Sequence, residues 1–149
     1  MSLLPIITFP HPFLRKKAEP IAEEQIGSWR PLVSDMIETM RRHDGVGLAA
    51  PQVEQSLRLA IISKEVVSDS KDWVLINPKI IKHSWRRASL EESCLSVPGI
   101  RKEVKRYVKI RVKARDKDGL AFNFEAKDFL ARVIQHEIDH LDGILIVDK

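Results

Sequence analysis

The chain has 149 residues, 44% hydrophobic and 31% charged, with a formal net charge of +4. That length suits one domain spanning residues 1–149, with a core that needs no disulfide or structural metal, and no apolar run reaches the thickness of a bilayer. The one cysteine, Cys94, rules out an internal disulfide and points to a reducing compartment.

The first ten residues lack a basic n-region and a small-residue cleavage site, so no secretory signal is predicted. The expected location is the cytoplasm, or an organelle matrix if a transit peptide has been removed. Basic residues occur as Arg41–Arg42, Arg86–Arg87 and the alternating Lys109, Arg111, Lys113 and Arg115. They read as solvated outer faces, so neither a membrane nor a direct nucleic-acid site is expected.

Between Pro5 and Pro20 four prolines predict an extended arm with at most a helical turn around Phe13–Lys16. From about Glu23 to His43 the apolar residues Leu32–Val33, Met36–Ile37 and Met40 recur at helical spacing, and Asp44-Gly45 ends that helix. Leu59–Ile62 and Trp73–Ile81 read as short buried strands. Val108, Ile110, Val112 and Ala114 alternate with basic residues, which predicts a half-buried strand. A turn at Asp116–Gly119 leads to a returning strand with Leu120, Phe122 and Phe124. Asp128 is the expected N-cap of a last helix to about Asp142, with Gly143 as its stop. The order predicts an α+β fold with mostly antiparallel sheets packed around the central helix that carries the chemistry.

That helix contains His136-Glu137-Ile138-Asp139-His140, an H-E-x-x-H. Residues i and i+4 share a helix face, so two imidazoles there can bind one metal, and Glu137 stands close enough to act as general base toward an attacking water. A shuffled chain of this composition shows the motif about once in a hundred. A third ligand is needed to leave one position open. Downstream of His140 only Asp142 and Asp148 offer oxygens, and Ile146 stands where a metzincin protease has its third His. The upstream candidates are Cys94, His43, His83 and Glu91-Glu92. Cys94 is preferred for its soft thiolate, while Glu92 is read as a structural hydrogen-bond partner.

Three segments resemble the sequence signatures of the peptide deformylase family: Gly45-Val46-Gly47-Leu48-Ala49-Ala50-Pro51-Gln52, Glu92-Ser93-Cys94-Leu95-Ser96-Val97-Pro98, and Gln135 to Gly143 around the H-E-x-x-H. Pro10 to Arg15 also resembles the family's opening, with His11 where Asp is usual. The resemblance covers nearly the whole chain. It departs at Ser93, normally Gly, and in stopping six residues after Gly143, without the C-terminal helix of many bacterial members.

The resemblance implies hydrolysis of the formyl group of N-terminal formyl-methionine, with Cys94, His136 and His140 holding one divalent ion. Zn²⁺ fits these ligands; the family typically uses Fe²⁺ and accepts Ni²⁺, Co²⁺ or Zn²⁺, so iron is the expected native metal. Glu137 would carry the proton, and Gln52 with the Leu95 N–H would bind the oxyanion, as their family counterparts do. Gly45, Val46, Gly47 and Ser93 would flank an extended substrate. Phe129 and Val133, on the His136 face of the helix, wall a methionine pocket or belong to the core. Arg101 corresponds to a basic residue that orders the loop after the second signature. The implied partners are nascent formyl-methionyl polypeptides at the ribosome, met by a monomer. The competing readings are an H-E-x-x-H zinc peptidase of another fold, and a non-catalytic metal-binding or ribosome-associated module, for which Ser93 is the best support.

Overall fold

A computed structural model describes residues 2–149. The arm runs extended into a 3₁₀ turn at Pro12–Arg15. His11 caps it, its Nδ1 accepting from the Phe13 N–H at 3.1 Å, a cap that a short carboxylate also provides. Helix α1 spans Arg30–Arg42 and is preceded by a 3₁₀ helix at Glu23–Trp29. The single helix expected from Glu23 is therefore shorter by a turn or two. Pro31 is the cause: with no N–H to donate, it is accommodated in the first turn of a helix and not in its interior. The chain leaves α1 through Asp44 at φ 52°, and the Gly45 N–H returns to the Met40 carbonyl at 2.9 Å.

Five strands form one antiparallel sheet in the order β1-β2-β3-β6-β7, where β1 is Gly47–Ala49, β2 Leu59–Ile62, β3 Trp73–His83, β6 Lys109–Arg115 and β7 Ala121–Lys127. A short helix, α2 (Lys64–Val67), links β2 to β3. Strands β4 (Arg87–Cys94) and β5 (Val97–Tyr107) form a separate two-stranded hairpin. Helix α3 covers Asp128–Leu141.

The sheet's burial pattern follows from which faces are covered. Leu59, Ile61, Val74 and Ile76 pack against Val33, Met36 and Met40 of α1. Their alternates Ile62 and Leu75 pack with Ile134 and Ile138 of α3. Strands β2 and β3 are thus covered on both sides here, which is why they read as continuous apolar runs. Only one face of β6 and β7 is covered, by α3, and these strands alternate. Each fully buried Leu or Ile contributes about 1.5–3 kcal/mol, so the central helix is held by apolar packing on its sheet side.

Two local expectations need correction. Asp128 is the first residue of α3, not its cap: Lys127 precedes it with no side-chain cap hydrogen bond, and Asp128 takes φ 54°, a conformation Asp tolerates better than most residues. The β4–β5 hairpin has no counterpart among the predicted strands, because β4 exposes nearly every residue and buries only Glu92.

Gly143 ends α3 as expected. Its φ is 74°; its N–H bonds to the His140 carbonyl at 3.1 Å, and the Ile144 N–H to the Asp139 carbonyl at 2.8 Å. This is the Schellman pattern. A Cβ here would also run into the Arg15 backbone carbonyl. Gly143→Ala is therefore expected to cost roughly 2 kcal/mol or more in urea-unfolding free energy.

Candidate active site

Helical spacing puts His136 and His140 on one face of α3, with their Nε2 atoms 3.2 Å apart. Cys94 reaches the same point from the end of β4, its Sγ 3.3 Å from His140 Nε2. The donor atoms of Cys94, His136 and His140 all lie within 4.8 Å of one another. The ladder register delivers Cys94: Ser93 faces Arg101 but Cys94 faces Val97, so residues 98–100 bulge out and a two-residue turn, Leu95-Ser96, closes the hairpin. Bulges beside active sites commonly re-aim one side chain in this way. The other candidate ligands lie elsewhere: His43 bonds the Thr39 carbonyl, and His83 stacks on Tyr107.

Glu92 lies outside the trio and supports His136 from behind. It accepts from His136 Nδ1 at 2.9 Å, which fixes that ring's tautomer and leaves Nε2 facing Cys94 and His140. It also accepts from Arg106 Nε (2.7 Å) and Nη2 (2.9 Å) and from Arg132 Nη1 (2.7 Å). Arg106 reaches Asp139 on α3 as well, at 2.7 Å. Burial alone would raise the Glu92 carboxyl; the hydrogen bonds from Arg106, His136 and Arg132 hold it well below the ordinary range.

The donor set suits a divalent metal ion. A thiolate and two imidazoles are a donor set that a divalent ion takes while keeping a position open for a further ligand. Burial, reinforced by the charges of His136 and Arg106, keeps His140 neutral, with its pKa well below 6.5. Burial also opposes charging of His136, but hydrogen bonds to Cys94 and Glu92 raise its pKa to about 10, so a cation at this point competes with a proton.

Cys94, Glu92 and His136 border a cleft of about 340 Å³ whose lining also includes Gln52, Leu95, Phe129, Val133 and Glu137. Glu137 is 4% exposed, and its Oε1 has no partner among the described residues. Burial pushes its pKa up to about 7, against the pull of His136 and Arg106. At neutral pH such a group both takes and gives a proton readily. Gln52 is held at both ends of its amide. The Ala49 N–H, which can only donate, meets Oε1 at 2.9 Å; this orients Nε2 toward Ser96 Oγ (3.1 Å) and Cys94 Sγ (3.8 Å). The Leu95 N–H, in the hairpin turn, meets no protein acceptor among the described residues.

Gly45, Val46, Gly47 and Ser93 also line the cleft. Neither glycine has positive φ; what each supplies is space. A Cβ on Gly47 would lie 2.7 Å from Glu137 Oε2, and one on Gly45 3.1 Å from the Leu95 side chain. Ser93 is exposed and lies outside the left-handed region, so the side chain adds no backbone strain there. Arg101 is not brought into the cleft: its side chain is 76% exposed and lies 3.5 Å from Glu91. Sequence reasoning missed Arg106, Arg132 and Ser96. Arg132 had a usable signal, four residues before His136 on the same helix face; Arg106 and Ser96 had none.

An α+β core with a thiolate–diimidazole trio and a buried carboxylate beside it defines a metal-dependent hydrolase. The sequence profile of the polypeptide deformylase family matches residues 3–149, and the chain belongs to that family. It is 45% identical to the peptide deformylase of Chlorobaculum parvum over 150 residues, covering 99% of this chain and 79% of the relative. The crystal structure of the Thermotoga maritima enzyme superposes with a TM-score of 0.91 at 38% identity, covering 100% of this chain and 98% of that one. The class I type b peptide deformylase of Acinetobacter baumannii, solved with Met-Ala-Ser bound, superposes at 0.93 with 34% identity, each chain fully covered.

Two substitutions test the geometry. Gly47→Ala should keep the fold, losing about 1–2 kcal/mol to overpacking, but displace Glu137 and lower kcat/KM at least tenfold, as steady-state kinetics will show. Ser93→Gly, which relieves no strain, should change kcat/KM by less than about tenfold, or about 1.4 kcal/mol.

Proposed function

We propose that this cleft carries the chain's deformylase activity, with Cys94, His136 and His140 as ligands of one divalent ion and Glu137 as the proton carrier. The enzyme removes the N-formyl group from the N-terminal formyl-methionine of newly made polypeptides and releases formate. The observation that carries the assignment of roles is the convergence of Cys94 Sγ and both imidazole Nε2 atoms beside a buried carboxylate in one cleft.

When bound there, the metal ion supplies a Lewis acid and an acidified water. Glu137 takes the proton from the attacking water as its oxygen adds to the formyl carbon. It returns that proton to the amine nitrogen when the C–N bond breaks, so formate and a free N-terminus leave together. Gln52 Nε2 and the Leu95 N–H donate to the carbonyl oxygen as it gains negative charge; both are fixed before substrate arrives, so no reorganisation is needed. β1 is an edge strand of its sheet, and Gly45–Gly47 line the cleft, so an extended peptide can pair along that edge. Phe129 and Val133 then flank the methionine side chain.

The native ion we assign is Fe²⁺, with Zn²⁺, Ni²⁺ or Co²⁺ as substitutes, all compatible with this mixed ligand set. No helix of the described residues is long and apolar enough to cross a membrane. The proposed setting is the cytoplasm, where a monomer meets nascent chains at the ribosome. Nothing in the geometry favours a peptidase or a non-catalytic module.

Formate release from formyl-Met-Ala-Ser by anaerobically prepared, iron-loaded protein tests the activity. Glu137→Gln should keep one metal ion per chain by elemental analysis while losing about 10²–10⁴ in kcat; Cys94→Ala should lose most of its metal. Near-normal turnover by Glu137→Gln would remove that residue from the mechanism.

A further inference from the structure

The basic residues that lie scattered along the sequence gather on one surface. On β6 the buried alternates Ile110, Val112 and Ala114 turn Lys109, Arg111, Lys113 and Arg115 outward. The ladder places Lys82 of β3 opposite Arg111, Lys79 of β3 opposite Lys113, and Lys127 of β7 opposite Lys109. Directly opposed like charges destabilise a sheet, and three such pairs stand side by side. The compensation is sparse: Lys109 has Glu125 at 3.8 Å and Arg115 has Glu23 at 3.2 Å. Among the described residues, Lys79, Lys82, Arg111, Lys113 and Lys127 form no ion pair. The whole chain carries only +4, so this one face concentrates the molecule's positive charge.

A shallow depression of about 320 Å³ opens on the same face, lined by Lys82, His83, Ser84, Lys109, Arg111 and Glu125. The β3–β4 connection forms its rim, with the Ser84 N–H bonded to the Lys109 carbonyl at 2.8 Å. The next residue, Trp85, is 100% exposed, an unusual state for the residue with most apolar surface to hide. Beside it, His83 stacks on Tyr107 with ring centroids 3.9 Å apart, and the Arg87 guanidinium lies 5.5 Å from that ring.

We propose that the outward face of β3, β6 and β7, with Trp85 at its rim, is a docking surface for single-stranded RNA. The cations form a grid, about 4.8 Å apart across the strands and about 6.8 Å along them, which matches a polyanion rather than a single acidic group. The free indole beside it is a stacking platform for an unpaired base. An anionic membrane fits less well, because the outward positions of β6 and β7 are Lys, Arg, Asn, Glu and Ala, and only Ile81 of β3 and Trp85 at the rim expose large apolar side chains. The opposite face of these strands packs on Ala131, Ile134 and Ile138 of α3, so RNA bound outside leaves the catalytic cleft open to a peptide.

Fluorescence anisotropy of the metal-loaded full chain with a labelled, mixed-sequence single-stranded RNA tests this. Between about 50 and 200 mM KCl, log Kd should rise with log salt at a slope of roughly 3, as expected for 4–5 phosphate contacts. The double variant Lys82→Glu/Arg111→Glu should weaken binding at least tenfold and flatten the slope by about 1.4. Trp85→Ala should weaken it about fivefold or more and leave the slope unchanged. Both variants should release formate from formyl-Met-Ala-Ser at the wild-type rate. The proposal is overturned if no RNA binds at about 50 mM KCl, or if both variants bind like the wild type. Tighter, Lys82- and Arg111-dependent capture by phosphatidylserine vesicles or polyglutamate than by RNA would also overturn it, reassigning the face to a membrane or an acidic protein.

Discussion

The site depends on one buried carboxylate. Glu92 accepts four hydrogen bonds, two from Arg106, one from Arg132 and one from His136. The hairpin that carries it shares no ladder with the five-stranded sheet. No strand ladder therefore fixes the distance between Cys94 and α3. This polar cluster does, helped by Val97 and Val104 of β5 packed on Ile146. A buried ion network of this kind adds little net stability compared with an apolar core of the same volume, yet losing one partner strands the others at a cost of several kcal/mol. Its effect is positional: β4, β5 and α3 are held in one register, and the tautomer of the His136 imidazole is set in the same step.

Space matters as much as polarity around Glu137. That side chain is packed against a strand with no Cβ to offer, and Gly47 leaves just the room its carboxylate occupies. The apolar residues around it, Ile134, Ile138 and Leu141, are buried to 8% exposure or less and keep α3 from shifting. The same low-polarity surroundings that fix the helix raise the Glu137 pKa toward neutrality, so the fold's packing and the acid–base chemistry have a common origin.

The sheet divides the molecule in two. Where α1 and α3 cover β2 and β3, alternate side chains interlock in apolar clusters. Where β3, β6 and β7 face water, the same alternation turns out a field of cations. Chemistry sits on the hairpin and helix side, and the long-range electrostatics sit on the other, so substrate access and surface charge do not compete for the same residues.

How much was legible in the sequence follows from the range of each interaction. The H-E-x-x-H helix, its Gly143 stop, the buried runs at Leu59–Ile62 and from Trp73, and the Lys109–Phe124 hairpin are written in local periodicity and turn chemistry, and they were readable. The lone cysteine and the spacing of the two histidines singled out Cys94, His136 and His140, whose donor atoms the fold brings within 4.8 Å of one another. The start of α1 was misread because the apolar pattern continues past Pro31 while the backbone cannot. Asp128 was misread because its backbone is left-handed. The β4–β5 hairpin was invisible because a strand exposed along nearly its whole length has no hydrophobic signature. Only the tertiary structure decided what Glu92 touches, since its partners stand 14, 40 and 44 residues away. It also decided that Arg101 points to solvent, and that seven scattered cations share one face. Periodicity records which side of an element is buried; it carries no record of what that side is buried against, or of which distant strand lies next to it, and the site and the charged face depend on those two facts.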